Sequence, residues 1–304
     1  WEVEPERLLS LQIRDIRING AWKAGKEISM GNLLGNRFRI TVRGAKKGSA
    51  KNVAKIKKEL GGHIPNYFGE QRFGSTRANT HVVGKLIVMG DLEGAVRNYL
   101  CFASGEENPQ ARSARERLAK EKSYADALGY FPHHLKYELT LIRHLADFKN
   151  DYAGALRKLP RGISLMFVHA YQSLLFNMLL AERIGKGDAC ARKGDWVCPA
   201  GKLGFPNVEK AKRAKKNGEK GFLCLPLIGY ETEVCEADET VLRKEGISPE
   251  SFRIRSAPEL SARGSLRSAF APLKGFRFAQ KGEKAEFRFA LRAGWYATVA
   301  MHEF

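Results

Sequence analysis

The stretch "NRFRITVRGAKKGSAKNVAKIKKEL" (residues 36–60) carries two periods one after the other. In its first part Phe38, Ile40 and Val42 alternate with Arg37, Arg39, Thr41 and Arg43, the period of two expected of a strand with one buried face. In its second part Val53, Ile56 and Leu60 recur at helical spacing while Lys51, Lys55 and Lys58 form a separate stripe. A strand with a cationic face therefore leads into a helix that lays its apolar side on the sheet. Alternation returns in "AEFRFALRAGWYATVAMHEF" (285–304), where Ala285, Phe287, Phe289 and Leu291 share a face. Arg292 to Gly294 then permits a turn, and Tyr296 and Thr298 oppose Trp295, Ala297 and Val299, a pattern that predicts a β-hairpin.

The middle of the chain is helical. Residues 82–102 have helical periodicity, and 108–148 predict two or three further helices, two of them separated by Pro132. The run "LMFVHAYQSLLFNMLLAERI" (165–184) is the most apolar in the chain, but His169, Gln172, Ser173 and Asn177 interrupt it, so it predicts a buried helix and no membrane span. Glycine-rich and polar residues 187–205, followed by the lysine-rich 209–221, predict a mobile, solvent-facing loop. Residues 222–234 predict a strand plus turn, and 240–254 a short helix. Strands and helices, a mainly helical middle and closing strands indicate an α+β fold with an inserted helical domain.

The chain has 304 residues, with 52 Lys+Arg against 33 Asp+Glu and a formal net charge of +19. Such a balance points to a polyanionic partner, nucleic acid before an anionic membrane surface. Five cysteines, Cys101, Cys190, Cys198, Cys224 and Cys235, show neither Cys-x-x-Cys nor a compact disulfide framework. Together with the lack of a secretory signal they read as reduced thiols in a cytoplasmic protein. Cys190, Cys198 and His169 match no common zinc spacing. Adjacent His133 and His134 would diverge by about 100° on a helix, so no metal is expected.

The segment "PNYFGEQRFG" (65–74) is too polar for a core strand and too aromatic for an ordinary surface loop. It holds what a protein needs to act on a base in structured RNA. Tyr67, Phe68 and Phe73 can stack, Asn66 and Gln71 can read a base edge, and Arg72 can bind an anion bidentately. Composition alone supports equally well that Phe68 and Phe73 are core residues and Asn66 caps a turn. The cluster that includes Lys51 and Lys55 reads as a phosphate grip or a solvated helix face. Lys212 and Arg213, in the predicted loop, and Arg37, Arg39 and Arg43, on one strand face, favour RNA contact.

The same segment resembles the signature Asn-x-Phe-Gly-x-Gln-Arg-Phe-Gly of the TruD family of tRNA pseudouridine synthases, matching at every specified position. "ISMGNLLGNRFRITVR", "AYQSLLFNMLLAERI" and "FALRAGWYATVAMHEF" are similar to further family motifs in the same order. The resemblance implies a pseudouridine-synthase-like mixed or antiparallel sheet flanked by helices. The catalytic body would span 1–157 and 262–304, with an inserted domain at 158–261. It also implies a monomer acting on tRNA without a cofactor. A uridine would be flipped out, its glycosidic bond broken and the base rejoined through carbon, with an aspartate doing the nucleophilic or basic work. Phe68 would pack against the uracil, Asn66 would hold the catalytic carboxylate, and Gln71 and Arg72 would shape the pocket; Tyr296 and Thr298, in the family's Tyr-Ala-Thr motif, fit a pocket wall and strand packing equally well. The alternative is a non-catalytic RNA-binding or tRNA-folding protein with the same cleft. The family's aspartate motif, Gly-x-Lys-Asp followed by Ala-x-Thr-x-Gln and commonly Trp, has no match here. Trp1 resembles its closing tryptophan, so the aspartate is expected just upstream. Asp15, Asp91, Asp126, Asp147, Asp151, Asp188, Asp195 and Asp238 lack that setting.

Overall fold

The computed structural model describes residues 3–29, 31–187, 189–201 and 203–304, with only the backbone at position 237; Trp1 and Asp188 lie outside the described residues. A short helix α1 (Pro5–Leu9) precedes strand β1 (Gly35–Arg43), helix α2 (Ser49–Glu59) and strand β2 (His63–Pro65). Seven helices follow: α3 (Thr80–Val88), α4 (Leu92–Cys101), α5 (Pro109–Glu121), α6 (Tyr124–Ala127), α7 (Lys136–Asp147), α8 (Tyr152–Lys158) and α9 (Arg161–Gly185). Strands β3 (Trp196–Cys198), β4 (Lys212–Arg213) and β5 (Phe222–Leu227) lead into α10 (Glu236–Glu245). The chain closes with β6 (Ser265–Ser268), β7 (Phe270–Pro272), β8 (Lys274–Lys281), β9 (Lys284–Arg292) and α11 (Ala297–His302).

Every strand pairing among the described residues is antiparallel, in three sheets ordered β1-β9-β8, β2-β7 and β4-β3-β5-β6. The first sheet follows the alternation in sequence: Phe38 and Ile40 turn inward on β1, while Ala285, Phe287, Phe289 and Leu291 are buried on β9. They form one core with Val53 of α2, Ile64, Ala271, Leu273 and Ala300. A larger core joins α3, α4, α5, α7, α8 and α9 to β3, β5 and α10, so helices on both sides of residue 157 share it. Local signals set the helix starts. Asp91, Asn108 and Asp151 each accept a hydrogen bond from a first-turn amide, satisfying donors the helix itself cannot pair. Helix α9 is long and apolar enough to span a membrane, yet Phe167, Val168, Tyr171, Leu175 and Phe176 are all at most 1% exposed in the core.

Two local expectations are corrected. The second arm of the predicted C-terminal hairpin is helical: Tyr296 caps α11. The true hairpin is β8–β9, turning at Gly282 with φ of 59°. A few residues of alternation cannot separate strand from helix. Here helix wins because it seats Ala300 and Met301 in the sheet core and brings Phe304 onto Phe276, with ring centroids 4.9 Å apart. The predicted mobile loop is also partly sheet, since Trp196 and Val197 pair with Arg213 and Lys212 on one side and with β5 on the other. Val197, Cys198 and Ala214 are buried there, an apolar content that the lysines mask in sequence.

The crossing of α3 and α9 depends on Gly84, where a Cβ would fall 2.0 Å from the Phe167 carbonyl oxygen. Gly84→Ala should therefore destabilise the fold by about 1–3 kcal/mol through overpacking, seen as a lowered urea midpoint. Gly162→Ala, where a Cβ meets nothing within 4 Å, should leave the midpoint within the scatter of a surface change.

Candidate active site

Strands β6 and β7 are nearly continuous, and Ala269 between them is where the pairing partner changes. The Ala269 N–H donates to the Leu223 carbonyl, and its own carbonyl accepts the Asn66 N–H. Asn66 thereby extends β2 into the seam between two sheets. Its side chain is 2% exposed; Nδ2 donates to the Ser268 carbonyl at 2.8 Å and approaches Ser268 Oγ at 3.2 Å. Its Oδ1 accepts from Arg267 Nη2 at 2.7 Å. Asn66 thus ties two strands together and is not a turn cap.

Two residues on, the Phe68 peptide is held from both sides by Asn177 of α9. Oδ1 accepts the Phe68 N–H at 2.8 Å, and Nδ2 donates to the Phe68 carbonyl at 3.0 Å. The neighbouring Phe176 ring meets Phe68 edge-on at 5.6 Å, and Tyr296 approaches at 6.1 Å. A 3-10 turn over Glu70–Arg72 follows. Gly69 is needed for space and not for its backbone angle: φ is −76°, but a Cβ would stand 2.9 Å from the Tyr296 ring. Gly74, at φ 103°, is where the left-handed conformation requires glycine.

Two guanidinium groups converge on this ring. Arg267 lies 4.0 Å from the Phe68 centroid and Arg72 5.7 Å. Arg72 Nε donates to Ser173 Oγ at 3.0 Å. Arg267 donates from Nε to the Asn66 carbonyl and from Nη1 to the Gly294 carbonyl, both at 3.2 Å. Neither arginine has a carboxylate partner within ion-pair distance among the described residues. Burial pushes the Arg267 guanidinium down to about 10; Tyr296 acts against that shift and the positive charge of Arg72 adds to it. Burial also lowers Arg72, and burial together with Arg72 lowers His169. Both arginines remain charged at neutral pH, in a low-polarity setting where a cation over an aromatic face contributes about 2 kcal/mol.

Asn66, Phe68, Gln71, Arg72 and Tyr296 are thus brought together, with Thr298 Oγ1 3.3 Å from Gln71 Oε1. The other predicted residues lie elsewhere and make no hydrogen bond or ring contact with this pocket among the described residues. Arg37, Arg39 and Arg43 occupy the outer face of β1, an edge strand, where Arg39 pairs with Glu286. Exposed Lys51 and Lys55 lie on α2. Lys212 is bonded to Glu219 at 2.8 Å. Arg213 stacks 4.2 Å over Trp196 and bonds Glu233 at 2.7 Å. The latter two are engaged within the protein, unlike the free cations a loop would offer. Sequence reading missed Arg267, Ser173 and Asn177 as parts of the pocket. The last two had a signal, as polar residues within the most apolar run, whereas nothing in "SLRSAF" (265–270) marks Arg267.

This architecture has a solved counterpart. A crystal structure of the Methanosarcina mazei protein that bears the TruD name superposes with a TM-score of 0.88 at 31% identity, covering 100% of this chain and 76% of that one. The fold is that of a pseudouridine synthase. A family model described as tRNA pseudouridine synthase D (TruD) matches residues 1–304. The protein named "Probable tRNA pseudouridine synthase D" in Methanopyrus kandleri is 40% identical over 310 residues, 99% of this chain and 72% of its own length. Its namesake in Methanosarcina mazei is 33% identical, with coverages of 100% and 76%. The chain belongs to the TruD family of pseudouridine synthases.

Asn177→Ala should cost about 1–3 kcal/mol, because it leaves the Phe68 amide and carbonyl unpaired. The measurement is denaturant unfolding followed by tryptophan fluorescence. Asn177→Ala combined with Gly69→Ala should cost less than the sum of the two single changes, since both release the same loop.

Proposed function

We propose that the protein isomerises a uridine of tRNA to pseudouridine, with the flipped base entering the pocket around Phe68. One observation carries this reading: the Asn-x-Phe-Gly-x-Gln-Arg-Phe-Gly segment and the C-terminal Tyr-Ala-Thr, more than 200 residues apart, meet with the Tyr296 ring 6.1 Å from Phe68. Unstacking a base costs a few kcal/mol, and aromatic and amide contacts to the flipped base offset that cost. The reaction moves one bond within a single molecule and conserves its atoms, so it consumes no oxidant, reductant or co-substrate. The N1 bond to the ribose breaks, the uracil turns, and C5 bonds to the same ribose carbon while the C5 proton leaves and N1 gains one.

An aspartate performs the bond exchange and comes from a segment outside residues 1–304. What supports this is that the family's Gly-x-Lys-Asp motif does not occur in the sequence. Phe68 limits the space for the base, Asn66 steadies the strand seam beneath it, and Arg37, Arg43, Lys51 and Lys55 attract the RNA backbone over distances set by salt screening.

The intact gene product, incubated with tRNA and assayed by carbodiimide mapping of pseudouridine, should convert a single uridine. Phe68→Ala should lower kcat/KM roughly 5- to 150-fold, the equivalent of about 1–3 kcal/mol of base packing. Tight tRNA binding without product would leave a non-catalytic RNA-binding protein, and unchanged turnover in Phe68→Ala would remove the base-packing role.

A further inference from the structure

Arg72 and Arg267 are half-buried, face one aromatic ring and have no anionic partner among the described residues. A guanidinium has five N–H donors and cannot shed its charge in a protein. Arg267 directs one donor from each nitrogen to neutral acceptors, the Asn66 carbonyl, the Gly294 carbonyl and Asn66 Oδ1. One hydrogen on Nη1 and one on Nη2 have no partner among the described residues. Arg72 uses only Nε, on Ser173 Oγ. Two like charges held together repel each other, and a partly desolvated charge without a counter-charge is costly. Two other arginines of the core are arranged differently. Buried Arg115 is paired with both Glu107 and Glu138, at 2.8 and 2.6 Å, and Arg77 lies beside the same two carboxylates.

We propose that Arg267 and Arg72 form an anion clamp that grips an RNA phosphate adjoining the nucleotide presented to Phe68. Arg267 keeps one N–H on each Nη for an anion, and a guanidinium can bind two phosphate oxygens at once. It cannot swing away, because its other donors are anchored to Asn66 and Gly294. Arg72 is anchored at one nitrogen and supplies a second charge 5.7 Å from the same ring. The clamp rests on the proposed function for the identity of its anion. Its consequence is that the pocket binds the backbone and the base as one unit: the phosphate fixes the position of the ribose, and the ribose sets where the base meets Phe68.

The test uses the full-length protein with Arg72→Gln, Arg267→Gln and Arg267→Lys, and tRNA either unmodified or carrying one uncharged methylphosphonate linkage beside the modified uridine. Each Gln variant should reduce the slope of log Kd against log salt by about 0.7–0.9, and weaken binding about 10- to 100-fold at low salt. Arg267→Lys should recover the slope but only part of the affinity, since a point charge cannot bind bidentately. The methylphosphonate should weaken binding to the wild type by a similar factor and have little further effect on the Gln variants, the coupling expected of a direct contact. Salt slopes equal to wild type in both Gln variants, or a loss confined to kcat at saturating RNA, would overturn the clamp and assign the arginines to a protein carboxylate. Should Arg267→Gln unfold, Arg72→Gln decides, because Arg72 has a single internal hydrogen bond to lose. A wild type that binds RNA without forming pseudouridine removes the proposed function, and the slopes still judge the clamp.

Discussion

The side-chain amide of Asn177 closes both backbone hydrogen bonds of Phe68, and the pocket is organised around that connection. It does for a loop what a neighbouring strand does in a sheet, satisfying one donor and one acceptor that would otherwise be stranded beside an apolar core. Because α9 packs into the larger core, a loop fastened to it inherits the rigidity of the helical core. Its neighbours on the same helix extend the connection: Phe176 packs on the Phe68 ring, Ser173 holds Arg72, and Gln172 donates to the Ile228 carbonyl. One helix therefore positions an aromatic ring, a cation and the approach of the four-stranded sheet.

The opposite wall is set by the seam between sheets. At Ala269 the strand running through β6 and β7 changes partners from β5 to β2, and such a change leaves polar groups to be satisfied by side chains. Asn66 and Arg267 meet that need for one another, while Ser268 takes up the rest. The same hydrogen bonds that close the seam hold the Arg267 guanidinium over Phe68, so the architecture maintains a charge in a place where an isolated one would be unfavourable. Gly69 completes the enclosure by letting the Tyr296 ring approach to a distance no side chain would tolerate.

Much of the fold was legible because periodicity records burial. The alternation in 36–43 became β1, that in 285–291 became β9, Pro132 lies between α6 and α7, and the apolar run at 165–184 lies in the buried α9. Misreadings fell where the local pattern was short or mixed. Residues 295–299 alternate, but helix formation seats Ala300 and brings Phe304 to Phe276; lysines concealed the pairing of β3 with β4. The site was legible only in part. Asn66, Phe68, Gln71 and Arg72 stand in one segment with an unusual composition, and Tyr296 belongs to a second motif. Arg267 has an ordinary sequence context, and its role arises wholly from what it faces.

From its sequence alone the chain determined its α+β class, its basic character, the positions of its principal strands and helices, and the segment that carries the pocket. These depend on residue type and spacing along a few turns, which local sterics and burial read directly. The tertiary structure alone decided that polar residues of α9 pin the loop, that a residue 199 positions beyond Phe68 brings a guanidinium onto its ring, and that two arginines share that ring without a carboxylate partner among the described residues. Such features depend on which distant segments meet, and no period along the chain encodes that meeting.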